Sequence, residues 1–228
     1  MALFMSRERK RKVANFLASR VHEMHRVKLP VTGTFLFPLK VRIAEGLLLE
    51  IHEVFGRHAI EFWLRDGTAL GVYRDGGLIP YDDDVDLGLW VGDAGKLDAA
   101  LDELEARGFS VYRRNRHVFG LFKRFETVEF VVSGVYADEG GYHKLLEETF
   151  FRALTRVRFL GKDFNLPGPI EPYLEFCYGA DWRTPKYGAF WSNSVWLPDA
   201  ERRAHVEAFR RASREPAAAD AEKNAGLK

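Results

Sequence analysis

Residues 62–90 read FWLRDGTALGVYRDGGLIPYDDDVDLGLW. A short apolar strand (Phe62 to Leu64) meets a Gly67-Thr68 turn, a brief helical stretch and a glycine-rich connection. Four aspartates, Asp82, Asp83, Asp84 and Asp86, then crowd the entrance to a second apolar run. Like charges about 5 Å apart repel by about 3 kcal/mol per pair at an effective dielectric of about 20. A wet loop tolerates that. A strand entering a core tolerates it mainly when a cation neutralises it. Strand alternation puts Asp84, Asp86, Gly88 and Trp90 on one face and Val85, Leu87, Leu89 and Val91 on the other. Asp82 has the parity of Asp84 and Asp86, whereas Asp83 does not. Asp82, Asp84 and Asp86 are therefore the catalytic candidates, and carboxylates so spaced suit divalent cations with oxygen ligands. The bland alternative is a solvated acidic turn before a strand.

Working outward, a third carboxylate on a neighbouring strand would complete a metal site. Glu129 is an acid inside the otherwise apolar run TVEFVVSG, and a buried carboxylate needs a partner. An edge-strand Glu facing water is the other reading, and Glu126, just before the strand, is the other candidate. Asp84, Asp86 and Glu129 are thus the metal candidates. Gly67 and Thr68 at the head of a helix offer backbone N–H groups and a hydroxyl to a phosphate. Arg74 follows that helix, placed either to clamp a phosphate or to pair with Asp75 or the acidic cluster.

The whole chain has 228 residues, 46% hydrophobic and 29% charged, which fits one globular domain with a sizeable core. Net charge is +1, so nothing global calls for nucleic acid. The single Cys177 excludes an intramolecular disulfide framework and a cysteine-rich zinc site. No run approaches the ~18 apolar residues of a membrane span, and no secretory signal follows the basic start.

Periodicity and breakers predict the remaining elements. Residues 6–28 form a basic helix with a narrow apolar stripe, either packed on the domain or lying on an anionic membrane surface. Residues 30–38 read as a loop, 39–56 as a helix, 60–64 as a strand and 68–74 as a short helix. A strand at 85–91 precedes a helix capped by Asp93 and ending near 107. Strands follow at 109–113, 117–124 and 127–133. Residues 134–144 read as turns, the second half of 150–159 as a strand, and a helix begins in the stretch 166–172 and stops at Gly179. Residues 180–198 are irregular and aromatic, 199–212 a last helix, and 214–228 a disordered tail after a single domain spanning 1–213 with its core at 39–198.

The central stretch resembles the LicD/fukutin family. That family's pattern is a strand, a Gly-Gly-Ser/Thr turn, Leu-Gly-x-x-Arg and Ile-Pro-Trp-Asp-x-Asp-x-Asp. Here the residues are Asp66-Gly67-Thr68, Leu70-Gly71-Val72-Tyr73-Arg74 and Ile79-Pro80-Tyr81-Asp82-Asp83-Asp84-Val85-Asp86. A second match, Tyr173-Leu174 through Tyr178-Gly179-Ala180-Asp181-Trp182-Arg183-Thr184-Pro185, is similar to the family's distal element. The resemblance implies an α/β (α+β) fold, a nucleotidyltransferase-like mixed sheet flanked by helices. It implies transfer of a phospho-alcohol, such as phosphocholine or a polyol phosphate, from a CDP-alcohol donor to a glycan or lipid-linked glycan, with Mg²⁺ or Mn²⁺ as cofactor. The family's aspartates carry over to Asp82, Asp84 and Asp86, its turn to Gly67 and Thr68, and its arginine to Arg74. Its later-strand acid maps to Glu129, where relatives usually have Asp. Asp66 stands where the family has Gly, adding negative charge beside the phosphate turn, and Tyr81 replaces Trp. The family's membrane anchor has no counterpart in these residues, so the expectation is a cytoplasmic protein, peripheral at the inner membrane face through its basic helix. Two other readings stay open: transfer of NMP from an NTP, and a ligand-binding protein without catalysis.

Overall fold

The computed structural model describes residues 33–82, 84–90, 92, 94–113, 118–134 and 142–185. The predicted helices at 6–28 and 199–212, the aromatic segment beyond 185, the tail, Asp83 and Asp93 lie outside the described residues. Chain order is α1 (Gly33–Arg57), β1 (Phe62–Leu64), α2 (Asp66–Asp75), β2 (Val85–Trp90), α3 (Ala94–Ala106) and β3 (Ser110–Arg113). Then come β4 (Val118–Lys123), β5 (Glu126–Ser133), α4 (Tyr142–Phe150), β6 (Thr155–Phe159), β7 (Lys162–Leu166) and α5 (Ile170–Tyr178).

Five strands form one mixed sheet in the order β1-β2-β5-β4-β3. Only β2 and β5 run parallel; the other neighbours are antiparallel. The parallel pair follows from the crossover through α3, since parallel neighbours need a long return connection. A separate hairpin, β6–β7, stands beside β1, where the Asn165 amide donates to the Phe62 carbonyl at 3.3 Å.

Alternation sorts the two faces. Val85, Leu87, Leu89, Val128 and Phe130 are buried on one. There Phe55 of α1 packs on Phe62 and Phe130, with ring centroids 5.5 and 5.4 Å apart. Trp63 points to the opposite face, against Trp90 and Phe151, and Phe150 and Phe151 pack on Tyr173 of α5.

Gly88 is where these layers close. A Cβ built on it would lie 2.3 Å from the Trp63 indole, which is fully buried and cannot swing away. Gly88→Ala is expected to destabilise the protein by about 1–3 kcal/mol through overpacking, read as a lower denaturant midpoint with an unchanged slope. A wild-type midpoint would contradict the close packing of Trp63 on β2.

Three expectations are corrected. The helix read as starting near 39 begins at Gly33 and runs through Pro38. A proline near a helix start forfeits one backbone bond while holding φ at a helical value, so the residues before it continue the helix instead of forming a loop. Tyr142–Phe150 is a helix where turns were expected up to 144 and no helix after it, with Leu145, Leu146 and Phe150 buried. Lys162–Leu166 is a strand: Phe164 and Leu166 are buried on one face and Asp163 and Asn165 alternate on the other, with Lys162 exposed at the strand's start. The helix after it starts at Ile170 and ends before Gly179.

Candidate active site

The site lies at the end of the sheet where β2 and β5 begin. β2 starts at Val85, so only Asp86 of the acids stands on the strand itself. Asp84 lies at the bend before it and Asp82 in the preceding loop. Glu129 is directly beside Asp86 in the parallel register of β2 and β5. Because β5 lies between β2 and β4 and Glu129 is buried, the reading of a water-facing edge residue is excluded.

A row of residues crosses the sheet at this level. Glu129 pairs with Gly120 of β4, and Gly120 with Tyr112 of β3. A Cβ on Gly120 would meet the Tyr112 ring at 2.2 Å, so the missing side chain lets Tyr112 lie across β4. Its hydroxyl then reaches Glu129 Oε1 in a long contact of 3.5 Å. The β4–β5 register is set by the two-residue turn Arg124-Phe125, both at positive φ as a tight hairpin of this twist requires. On the other side of Asp86 stands Arg65, whose N–H donates to the Asp86 carbonyl at 3.0 Å.

The turn at the head of α2 is joined to the acidic strand. The Asp86 N–H donates to Thr68 Oγ1 at 2.8 Å. Accepting this bond leaves the threonine hydroxyl its own hydrogen to donate. Gly67 is required sterically, because a Cβ there would sit 2.1 Å from Asp82 Oδ2. Asp82 thus lays its carboxylate over the helix N-terminus, where the helix dipole favours an anion. Arg74 forks onto Asp75 at 2.8 and 2.6 Å and also reaches the Trp182 carbonyl at 3.4 Å. Of the two roles weighed for this arginine, pairing with Asp75 is the one its contacts display.

Asp66 sits at φ +47°, in the left-handed region where a glycine is at ease and an aspartate is tolerated. Its charge is matched. Arg65 Nε donates to Oδ2 at 2.7 Å, and the Tyr173 hydroxyl donates to Oδ1 at 2.9 Å. Arg65 is 3% exposed, so this is a buried ion pair immediately behind the Gly67-Thr68 turn.

The electrostatics centre on Asp86. Its pKa is held well above the usual carboxylate range, by burial first, then by Asp84, Asp66 and Asp82, with Arg65 acting in the opposite sense. Among the described residues no three His, Cys, Asp or Glu side chains converge into a ready-made ligand cage. The donor set is nonetheless all carboxylate oxygen, on one strand, its entrance and the adjacent strand. That chemistry fits a hard divalent cation better than a softer metal.

Two further groups escaped the sequence reading or were left open by it. Lys40 of α1 donates to the Asp82 carbonyl and shares a small cavity with Thr68, Asp82, Asp84 and Glu126. The available signal was a single lysine one turn ahead of the apolar stripe beginning at Ile43. Glu126, the alternative third acid, lines this cavity, whereas Glu129 faces Asp86; the structure gives each a distinct place. A larger cleft of about 330 Å³ opens beside Trp90 and Arg152, farther along β2 from the acids.

Burial pushes the Glu126 carboxyl up from 4.5 to about 7, against the nearby Lys40. A carboxyl whose folded pKa is raised stabilises the fold fully below its unfolded pKa, and that contribution is lost as pH rises through about 7. Glu126→Gln is therefore expected to melt with wild type at about pH 5 and above it at about pH 8, in protein kept free of divalent metal. Parallel melting curves at both pH values would contradict the burial assigned to this group.

Comparison with known proteins extends these observations. Residues 59–168 match the family model described as LicD/FKTN/FKRP, nucleotidyltransferase domain. Ribitol-5-phosphate transferase FKTN of Mus musculus is 30% identical over 152 residues, covering 59% of this chain and 32% of that protein. The Homo sapiens protein of that name is 28% identical over 170 residues, 66% of this chain and 35% of that one. An uncharacterised protein of Rickettsia prowazekii (strain Madrid E) is 37% identical over 65 residues, 28% of this chain and 24% of that one. The chain thus spans about a quarter to a third of the length of these curated relatives. Among solved structures, ANT(2")-Ia in complex with adenylyl-2"-tobramycin superposes with a TM-score of 0.43 at 16% identity, over 74% of this chain and 97% of that one. All the candidate residues from Gly67 to Glu129 fall inside the matched segment, and through residues 59–168 the chain belongs to the LicD/fukutin family.

Proposed function

We propose that the protein is a divalent-metal-dependent transferase that moves a phospho-alcohol, a phosphocholine or polyol phosphate, from a CDP-alcohol to a glycan hydroxyl. The observation that carries this reading is the juxtaposition of Asp86, Glu129 and the Gly67-Thr68 turn inside the family segment. The relatives named as ribitol-5-phosphate transferases support the class of group transferred.

Asp84 and Asp86, with Asp82 or Glu129, would hold Mg²⁺ or Mn²⁺. Bound there, the ion supplies Lewis-acid polarisation of the diphosphate oxygens. The protein's own work is positioning and charge compensation, which dominate phosphoryl transfer. Gly67, Thr68 and Arg74 offer donors to the phosphates, and Thr68 ties their position to that of Asp86. The acceptor hydroxyl oxygen bonds to the phosphorus that carries the alcohol. The bond from that phosphorus to the bridging oxygen breaks, and CMP departs with the electron pair. A carboxylate of the cluster takes the hydroxyl proton and passes it to water.

The test is incubation of purified protein and Mg²⁺ with CDP-choline, CDP-polyols and the four NTPs. CMP release that requires the metal supports the proposal. Pyrophosphate release from an NTP instead would establish NMP transfer. Absence of either product, together with a melting temperature indifferent to Mg²⁺, would indicate a binding protein.

A further inference from the structure

The cleft beside Trp90 carries chemistry that the acidic site does not use. Trp90 shares a face of β2 with Asp86, about 13 Å farther along the strand at about 3.3 Å per residue. Phe151 lines the cleft and also packs beneath the Arg65 guanidinium, whose Cζ lies 5.7 Å from the ring centroid. One buried ring thus joins the cleft to the Arg65–Asp66 pair behind the Gly67-Thr68 turn. The fold fixes the remaining walls. Trp90 packs on the fully buried Trp63, ring centroids 5.5 Å apart. Arg152 lays its guanidinium over the Trp90 ring at 5.1 Å. Arg156 of β6 is the register partner of Asn165 of β7, so their side chains stand together on the polar face of that hairpin. Asn165 in turn donates to the Phe62 carbonyl at 3.3 Å, which clips the hairpin to β1 beside Glu61.

These walls specify a ligand. Among the described residues the partner of Arg152 is the Trp90 ring and not a carboxylate. Stacking holds the guanidinium plane still and leaves its N–H edge to a planar oxyanion. Two guanidiniums against the single carboxylate of Glu61 leave the cleft net positive, so an anionic group is favoured. A bare oxyanion would use only those donors. Glu61 and the Asn165 carbonyl accept hydrogens, which several hydroxyls on one molecule supply. Trp90 and Phe151 add apolar surface, and about 330 Å³ lies at the small end of ligand pockets, room for one sugar ring.

We propose that the cleft between Trp90, Arg152, Arg156 and Asn165 is a subsite for an anionic saccharide unit, a sugar carrying a carboxylate or a phosphoryl group, within the glycan acceptor. The guanidiniums take the anionic group, and Glu61 and Asn165 take hydroxyls. The role as an acceptor subsite rests on the transferase reading, whereas the binding of the sugar does not.

The test is calorimetry on the full chain without divalent metal. The probes are glucuronic acid, glucose 6-phosphate, glucose and inorganic phosphate, and wild type is compared with Arg152→Gln and Arg156→Gln. Both variants change exposed side chains, and melting curves check that they fold. Wild type is expected to bind one of the anionic sugars at least about tenfold more tightly than glucose or phosphate, the scale of one hydrogen bond to a charged group. Which of the two binds identifies the anionic group as carboxylate or phosphoryl. Each variant is expected to lose about tenfold in that affinity. Inorganic phosphate binding as tightly as the sugars would reduce the cleft to a simple ion site and overturn the proposal. Unchanged sugar affinity in Arg152→Gln would overturn it too, as would no binding of any probe to wild type. Should Arg152→Gln not fold, Arg156→Gln carries the same decision. None of these measurements needs a donor, so a wild type that releases no CMP would overturn the transferase reading and leave the binding result standing.

Discussion

Asp86→Asn is expected to reduce metal-dependent CMP release by about 10³-fold, the scale of losing a preorganised electrostatic group at a reacting centre, while making the metal-free protein more stable at neutral pH. The two effects have one cause. Asp86 stands on β2 next to Glu129, and Asp84, Asp66 and Asp82 all raise its pKa. A raised folded pKa means that the protonated form stabilises the fold at low pH, and that the benefit disappears as pH climbs through the folded value. Asparagine has no charge to lose, so its melting temperature should stay level over the range where wild type declines. Mg²⁺ should narrow the gap by stabilising wild type and not the variant. Melting curves across pH with and without Mg²⁺, beside the CMP assay, measure both effects. Near-normal turnover in Asp86→Asn would remove this carboxylate from the proposed chemistry. A variant less stable than wild type at neutral pH would show that the charge is compensated in the fold.

Asp66→Ala is expected to destabilise the protein by about 3–5 kcal/mol, the range for breaking a buried ion pair by removing one partner. Arg65, 3% exposed, would lose the carboxylate that its Nε contacts at 2.7 Å. The Tyr173 hydroxyl would lose its acceptor at 2.9 Å. Alanine is also a poorer residue than aspartate at φ +47°. Removing both charges together, with Arg65→Met and Asp66→Gly, should recover most of the loss, because neither partner of the pair is left buried without the other and glycine accepts the backbone angle. Chemical denaturation of Arg65→Met, Asp66→Gly and the double variant gives the coupling directly. An Asp66→Ala protein within about 1 kcal/mol of wild type would mean that Arg65 is adequately compensated by other groups such as Asp86.

The position of Asp66 also illustrates how far a sequence can be read. As a substitution for a family glycine, it looked like added negative charge beside a phosphate turn. The charge is there and bears on Asp86, but Arg65 and Tyr173 share it. Tyr173 is 107 residues away, and no local pattern links the two. The helix Tyr142–Phe150 and the strand Lys162–Leu166 escaped for another reason. Each is short and carries few buried apolar positions, so packing against α5 and the β6 partner, more than intrinsic preference, determines its form.

What the stretch 62–90 determined by itself was a strand, a helix-heading turn and an acidic strand entrance in that order. Those features depend on side-chain alternation, on glycine at close approaches and on the repulsion of adjacent carboxylates, all of which act between near neighbours in the chain. Only the tertiary structure decided which acid stands beside Asp86. The crossover through α3 sets β5 parallel to β2 and brings Glu129 into register with Asp86. The hairpin turn at Arg124-Phe125 then brings Gly120, and across it Tyr112, to Glu129. Strand pairing joins residues by hydrogen-bond register, and register between distant strands is set by how the whole sheet packs against its helices.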